Sequence, residues 1–462
     1  SIPFMRVVDS QMLAFNQGTT RRGSYACYMD ISHPEIEEFL FMRKSSGGDA
    51  NRKCLNLHHG INITDEFMNA VSKNIDWKLI DPHSKKVAKS INARELWRLI
   101  LETRHETGEP YLHFVDTSNR SLPETQKKLG LSIKQSNLCS EITLPTDEDR
   151  TAVCCLSSVN LAKYDEWSTS STFIPDMVRM LDNVLEHFIQ ATYDFSYDFK
   201  GDVLDMKVKK GMEGFTKAGY SAYRERSLGL GAMGFHTYLQ KLNVPFEGPI
   251  ATGQNLKMFK QIKELANKTS MELAEERGEA PDMEGTGMRN AHLLAVAPNA
   301  TSSIICGGTS PSIEPIRANV FIHKTLNGSF QVRNRQLHNL LKQKWNNSEE
   351  LQKEYDSDYQ HFKDKIWQSI SENTGSVKHL DFLTDLEKDV FKTADEIDQN
   401  WVIEHAAKRQ EFICQAQSVN LFFVAPRVQA KQEEHDNFLR YTNKVHYQAW
   451  KKGLKSLYYL RS

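Results

Sequence analysis

The segment Gln135-Ser136-Asn137-Leu138-Cys139-Ser140-Glu141 places an amide, a thiol and a carboxylate at every second residue. On an extended strand successive side chains alternate faces, so Asn137, Cys139 and Glu141 point one way while Leu138 and Ser140 point the other. On a helix, at roughly 100° per residue, Cys139 would stand about 200° from Asn137 and the set would scatter. The spacing therefore predicts a strand or extended loop that shows three chemistries to one side. A plainer reading of the same residues also stands. A free cysteine on a strand is often a small buried hydrophobe, and Asn and Glu at strand ends often serve turns.

A second cysteine-bearing run follows. After Ile142-Thr143-Leu144 comes a polar turn at 145–150, then Ala152-Val153-Cys154-Cys155-Leu156-Ser157-Ser158-Val159-Asn160-Leu161. Paired as a hairpin across that turn, the two runs set Cys154 roughly opposite Glu141 and on a diagonal to Cys139.

Composition narrows the class. The 462 residues suffice for about three average domains, or for one barrel with additions. With 58 basic and 59 acidic side chains the formal charge is -1, which argues against a nucleic-acid or membrane surface as a whole-protein partner. Seven cysteines, odd in number and irregularly spaced, do not describe a secreted disulfide framework and suit a reducing cytoplasm. No CxxC pair or His/Cys zinc spacing occurs, so no metal ligands are expected. No apolar run approaches ~18 residues, and the first residues carry no secretory signal.

With these residues in view, the chain resembles the large, catalytic subunit of class I ribonucleoside-diphosphate reductases. Asn137-Leu138-Cys139-x-Glu141-Ile142 is similar to that family's thiyl-radical motif, and Cys154-x-Leu156-Ser157 to the strand carrying one of its two reducing cysteines. The resemblance implies that Cys139 becomes the thiyl radical that takes the ribose 3′ hydrogen. It makes Glu141 the general base on the 3′ hydroxyl, Asn137 a hydrogen-bonding partner of the sugar, Leu138 a substrate contact and Cys154 a redox-active thiol. Cys155 has no such role. The residue types fit: a sulfur radical can abstract an unactivated hydrogen, and a carboxylate in reach assists loss of water from the neighbouring carbon.

Other stretches gain meaning from the same resemblance. Asn16-Gln17-Gly18-Thr19-Thr20-Arg21-Arg22-Gly23 reads on its own as a flexible polar loop before an alternating run at 24–31. By resemblance it relays effector identity to the substrate site, with Gln17 and Arg21 in contact with effector or base. The run 292–297 reads as a buried strand that ends in Pro298-Asn299-Ala300-Thr301-Ser302-Ser303, either an anion site or a plain helix N-cap. The resemblance makes it the loop for the substrate's diphosphate, with Thr301 and Ser302 as ligands and Asn299-Ala300 where some relatives have Ser-Glu. Arg226-Ser227-Leu228-Gly229-Leu230-Gly231 and the run 311–317 read as scaffold, the glycines allowing close backbone approach. Near the end of a helix-like segment stand Tyr458 and Tyr459, often mere packing residues in such a place. By resemblance they carry a radical from a small subunit through Tyr459 to Tyr458 to Cys139.

Amphipathic stretches at 174–193, 252–277 and 436–455 alternate with strand-like runs, the pattern of an α/β barrel with helices outside. The resemblance implies a ten-stranded α/β barrel of the ribonucleotide reductase type, incomplete in this chain because its first strands are missing. Residues 1–462 would be the carboxy-terminal part of that barrel domain, with a helical surface excursion near 342–375 and a helical region at 427–462. It implies no cofactor bound directly, a radical supplied by a diiron-tyrosyl small subunit, dNTP and ATP effectors, and thioredoxin or glutaredoxin as reductant. The expected partners are a separate chain with the amino-terminal part, the small subunit, a second large subunit and the nucleotide substrate. The alternative is a non-catalytic fragment that binds nucleotides or the small subunit.

Overall fold

Eight strands fix the framework, and most of them run parallel. They are β1 (Ala26–Asp30), β2 (His58–Ile63), β3 (Tyr111–Phe114), β4 (Leu156–Asn160), β5 (Gly229–Met233), β6 (Leu421–Phe422), β7 (Ser456–Leu457) and β8 (Leu460–Arg461). The computed structural model describes residues 1–17, 21–197, 203–325, 328–426 and 429–461. β1, β2 and β3 are parallel neighbours, and β7 closes this sheet as an antiparallel edge on β3. A second parallel series begins with β4 beside β5. It continues by single bridges, Leu230 to Leu294 and Val296 to Gln417, into the runs at 293–296 and 415–419. β6 and β8 form a short parallel pair.

Burial explains these runs. Leu293 to Val296 are at most 2% exposed, as a strand covered on both faces requires. Gly231 is needed where β5 meets them: a Cβ there would stand 2.5 Å from the Ala295 carbonyl oxygen. Gly60 in β2 does the same for a side chain, since its Cβ would stand 2.4 Å from the ring of Tyr28.

Helices cover the strands. The Asn92 side chain accepts from the N–H groups of Arg94 and Glu95 and so opens the Ala93–Thr107 helix, which stops at Gly108 with φ 79°. Its Leu96, Trp97, Ile100 and Leu101 are buried at helical spacing. The helices Phe173–Thr192 and Pro249–Arg277 fall on two of the amphipathic stretches and pack together. The polar segment near 342–375 belongs to helices Arg335–Asn347, Glu349–Glu354 and Tyr359–Glu372. Their inward residues, among them Trp345, Phe362 and Trp367, form an apolar core apart from the main one.

The carboxy-terminal helix, Gln432–Lys451, stops sooner than the sequence pattern suggests. Gly453 takes a left-handed φ of 81°, and 456–461 continue as β7 and β8 rather than as helix. No helix among the described residues is long and apolar enough to cross a membrane.

Candidate active site

The segment 137–141 is a tight turn, not a strand. The Ser140 N–H donates to the Asn137 carbonyl (3.3 Å), and Ser140 adopts φ 65°. The expected alternation of faces therefore does not hold, and Asn137, Cys139 and Glu141 converge by curvature instead. Leu138 lies half-buried within the turn. Nor do the runs 137–144 and 152–161 pair as a hairpin. Backbone of the first bonds to 415–416, with the Ala416 N–H on the Glu141 carbonyl (2.9 Å), while β4 pairs with β5. Buried polar groups there find partners far along the chain, and these outcompete the local turn.

Several distant side chains hold the turn in place. Tyr28 Oη donates to the Asn137 carbonyl (2.8 Å), and Ser418 Oγ to that of Cys139 (2.5 Å). Ser456 Oγ donates to the Ser140 carbonyl (2.7 Å). The Asn137 side-chain oxygen accepts the Ile142 N–H (3.1 Å), and its amide bonds the Glu141 carboxyl. Glu141 is 2% exposed, and burial raises its pKa, which makes it a stronger base than a solvated carboxylate. Ser418 Oγ lies 3.5 Å from its Oε2.

Cys154 faces the same space. The residue is exposed at the surface of that space, yet desolvation of its thiol by the surrounding atoms, then the charges of Glu141 and Cys139, push it up to about 12, so it keeps its proton at neutral pH. Cys155 is buried behind it, with Sγ 3.5 Å from the Leu181 carbonyl.

Beyond Cys139 the tyrosines follow in contact. The Tyr458 hydroxyl shares a hydrogen bond with the Cys139 thiol, and the Tyr458 and Tyr459 rings are 4.3 Å apart. Tyr111 of β3 packs on both, at 4.7 and 5.1 Å. Burial raises the pKa of all three, so each stays a neutral phenol. Backbone holds the pair: the Tyr458 N–H donates to Val419 O (2.8 Å), and the Tyr459 N–H to Asn420 Oδ1 (3.2 Å). The buried Arg104 Nη1 donates to the carbonyls of Tyr458 (3.1 Å) and Pro110. At the outer end Tyr459 Oη meets His58 Nδ1 (3.3 Å), while Arg461 lies over the ring face, 4.3 Å from its centroid.

The segment 298–302 leaves the buried 293–296 run on the same side. Asn299 takes φ 52°, and its amide and the Ser158 hydroxyl bond each other (2.9 and 3.1 Å), which ties this loop to β4 beyond Cys154. Pro298 is half-buried and Ala300 exposed. Thr301 and Ser302 are exposed, and neither hydroxyl bonds another described residue. Of the effector-loop expectation, residues 18–20 lie outside the described residues, as do the side chains of Gln17 and Arg21. The backbone pairs Gln17 with Arg21 in an antiparallel ladder. Among the described residues no cluster of His, Cys, Asp or Glu could hold a metal ion.

The structure thus gathers Asn137, Cys139, Glu141, Cys154, Tyr458 and Tyr459 at one place. Sequence reasoning missed Tyr28, His58, Arg104, Glu109, Tyr111, Ser418 and Ser456. The one signal available was a charged residue, Glu109, two positions before a mostly apolar strand.

Comparison with known proteins agrees with this arrangement. The family model described as "Ribonucleotide reductase, barrel domain" matches residues 1–286 and 280–460. The chain is 47% identical over 462 residues to a putative ribonucleoside-diphosphate reductase large subunit of Frog virus 3 (isolate Goorha), spanning all of this chain and 74% of that one. It is 43% identical over 515 residues to the ribonucleoside-diphosphate reductase large subunit of Invertebrate iridescent virus 3, of which it spans 75%. Among solved structures, the class Id ribonucleotide reductase alpha subunit of Actinobacillus ureae superposes with a TM-score of 0.78 at 33% identity, over 99% of this chain and 73% of that one. Matched along its length by the barrel model and by full-span relatives, the chain belongs to the ribonucleotide reductase large-subunit family.

Proposed function

We propose that this chain reduces ribonucleoside diphosphates to 2′-deoxyribonucleoside diphosphates by thiyl-radical chemistry. The observation that carries the reading is the unbroken contact from Tyr459 through Tyr458 to Cys139. A buried run of neutral phenols that ends on a thiol suits passage of a hydrogen-atom equivalent better than it suits plain packing. Each carrier gives up an electron with its proton, and no charge is left in the interior.

In the proposed cycle the Cys139 thiyl takes the 3′ hydrogen, forming S–H and a carbon radical. Glu141 accepts the 3′ hydroxyl proton, and Asn137 orients the sugar. The 2′ hydroxyl leaves as water with a proton that Cys154 still holds at neutral pH. Two electrons come from Cys154 and a second thiol, which close to a disulfide as the second thiol's hydrogen goes to C2′; Glu141 returns its proton to the 3′ oxygen, and Cys139 returns its hydrogen to C3′ to regenerate the thiyl. Thr301 and Ser302, whose hydroxyls are uncommitted, would bind the diphosphate with 298–300, and Gln17 and Arg21 would report the bound dNTP or ATP effector. The reading entails a diiron-tyrosyl small subunit, thioredoxin or glutaredoxin as reductant, a large-subunit dimer, a second thiol as partner of Cys154, and a cytoplasmic setting.

The test mixes the whole large subunit with the small subunit and follows dCDP formed from CDP. Cys139→Ser should abolish product while nucleotide binding persists. Turnover that survives this change would sink the mechanism.

A further inference from the structure

The outer end of the tyrosine pair carries a group for which the cycle above has no use. Glu109 is buried, with a side chain only 1% exposed, yet it is charged: hydrogen bonds from His58 and His59 outweigh its desolvation and hold its pKa down to about 2. Its oxygens take three donors, His58 Nδ1 at 2.6 Å, the His59 N–H at 3.1 Å and His59 Nδ1 at 3.0 Å, and form an ion pair with Arg43 Nη2 at 3.4 Å. A carboxylate only accepts, so the Nδ1 of His58 must carry a proton. That same Nδ1 lies 3.3 Å from Tyr459 Oη. The single N–H is therefore shared unequally, with Glu109 at 2.6 Å as its main acceptor and the phenol oxygen at 3.3 Å as the lesser one, while Glu109 fixes the ring. The Tyr111 and Tyr458 hydroxyls also hydrogen-bond the Tyr459 phenol from the inner side, whereas the Arg461 guanidinium stands over the ring face, so His58 is the nitrogen donor at the outer side. The His58 ring is kept from turning by Tyr111, stacked on it at 6.1 Å with an 18° tilt.

Resting on the radical relay of the preceding section, we propose that His58, aligned by Glu109, is a positioning residue that donates a hydrogen bond to Tyr459 and so holds the radical there while it passes inward. The step itself is balanced. The small-subunit radical carrier gains an electron and a proton from the Tyr459 hydroxyl, Tyr459 becomes a neutral phenoxyl, and it then takes the hydrogen of Tyr458. Throughout, His58 keeps its own proton on Nδ1 and offers it to the oxygen. Such a bond withdraws spin density from the phenoxyl oxygen and steadies the state that must wait for Tyr458.

The experiment uses the assembled enzyme with 3-aminotyrosine at position 459, which traps the radical, mixed with small subunit, CDP and effector in H2O and D2O. High-field EPR should give a lowered gx, and an exchangeable deuteron coupling and a histidine nitrogen coupling should appear after 15N-histidine labelling. His58→Phe, which keeps a flat ring without the donor, should raise gx, erase the nitrogen coupling and remove one deuteron coupling, leaving those of the probe's own amino group and of the Tyr111 and Tyr458 hydroxyls. His58→Asn, which restores an N–H, should recover part of the gx shift. In the unlabelled enzyme, His58→Phe should lower kcat about tenfold and leave KM for CDP unchanged. A radical at 459 that shows no histidine nitrogen coupling in the parent, or a gx that ignores His58→Phe, overturns this inference and leaves the relay standing. Failure of the parent to place any radical at 459 during turnover overturns the relay and this inference with it.

Discussion

Replacing Gly60 with alanine should unhook the cysteine turn without touching it. The new Cβ would stand 2.4, 2.6 and 2.9 Å from three atoms of the Tyr28 ring, so the ring must move. Overpacking of this kind costs about 1–3 kcal/mol. Displacement of the ring also breaks the bond from Tyr28 Oη to the Asn137 carbonyl. Because that carbonyl still accepts the Ser140 N–H, the loss is near the low end, about 1 kcal/mol. Gly60→Ala should therefore destabilise by about 2–4 kcal/mol and Tyr28→Phe by about 1 kcal/mol. Activity should suffer more than stability, since a shift of ~1 Å at a reacting atom costs up to about a hundredfold in rate. Urea unfolding and dCDP formation measure the two. In a Tyr28→Leu background the clash disappears, so the alanine should cost at least ~1 kcal/mol less there, a coupling visible in a double-mutant cycle. Additive costs, or a Gly60→Ala protein with parental stability and kcat, would refute the argument.

Further outcomes follow from the same geometry. Cys154, an exposed residue whose thiol is pushed up, should react with iodoacetamide at pH 8 about tenfold more slowly than an ordinary thiol, as peptide mapping by mass spectrometry would read. A normal rate would contradict its placement against Glu141 and Cys139. Arg104→Lys should weaken the protein nearly as much as Arg104→Met, because one ammonium cannot bond the Tyr458 and Pro110 carbonyls and His446 from a single planar fork; equilibrium denaturation distinguishes the outcomes. Glu314, which bonds Asn420 Nδ2 (2.7 Å), has its carboxyl raised from 4.5 to about 7 by burial. The native state thus holds a proton that the unfolded chain has lost, and stability should fall as pH rises between about 4.5 and 7. Thermal melts across that range should show this slope in the parent and lose it in Glu314→Gln.

How much of this was legible in the sequence depended on range. Helices at 173–192 and 249–277 announced themselves because apolar spacing is a local signal. The chemistry of Asn137, Cys139, Glu141 and Cys154 could be read from residue type and resemblance, yet their geometry could not. A period of two among polar residues looks like a strand, whereas the turn is kept by Tyr28, Ser418 and Ser456, which lie 109, 279 and 316 positions from their partners. The same distance hid Tyr111 and His58 beside the tyrosine pair. The end of the last helix was misjudged because aromatic and apolar residues after Gly453 continue a helical pattern while docking as strands.

The run 415–423 is bonded on one side to Glu141 and Cys139 and on the other to Tyr458, Tyr459 and Arg461, and it also pairs with Val296 ahead of the 298–302 loop. It acts as a common mount. When the surrounding helices breathe, thiol, phenols and loop are carried together, so their separations vary less than the position of any one of them. Insertions in the loops between the covering helices should be absorbed, whereas one extra residue between Ser418 and Asn420 would put the cysteine and the tyrosines on different footings.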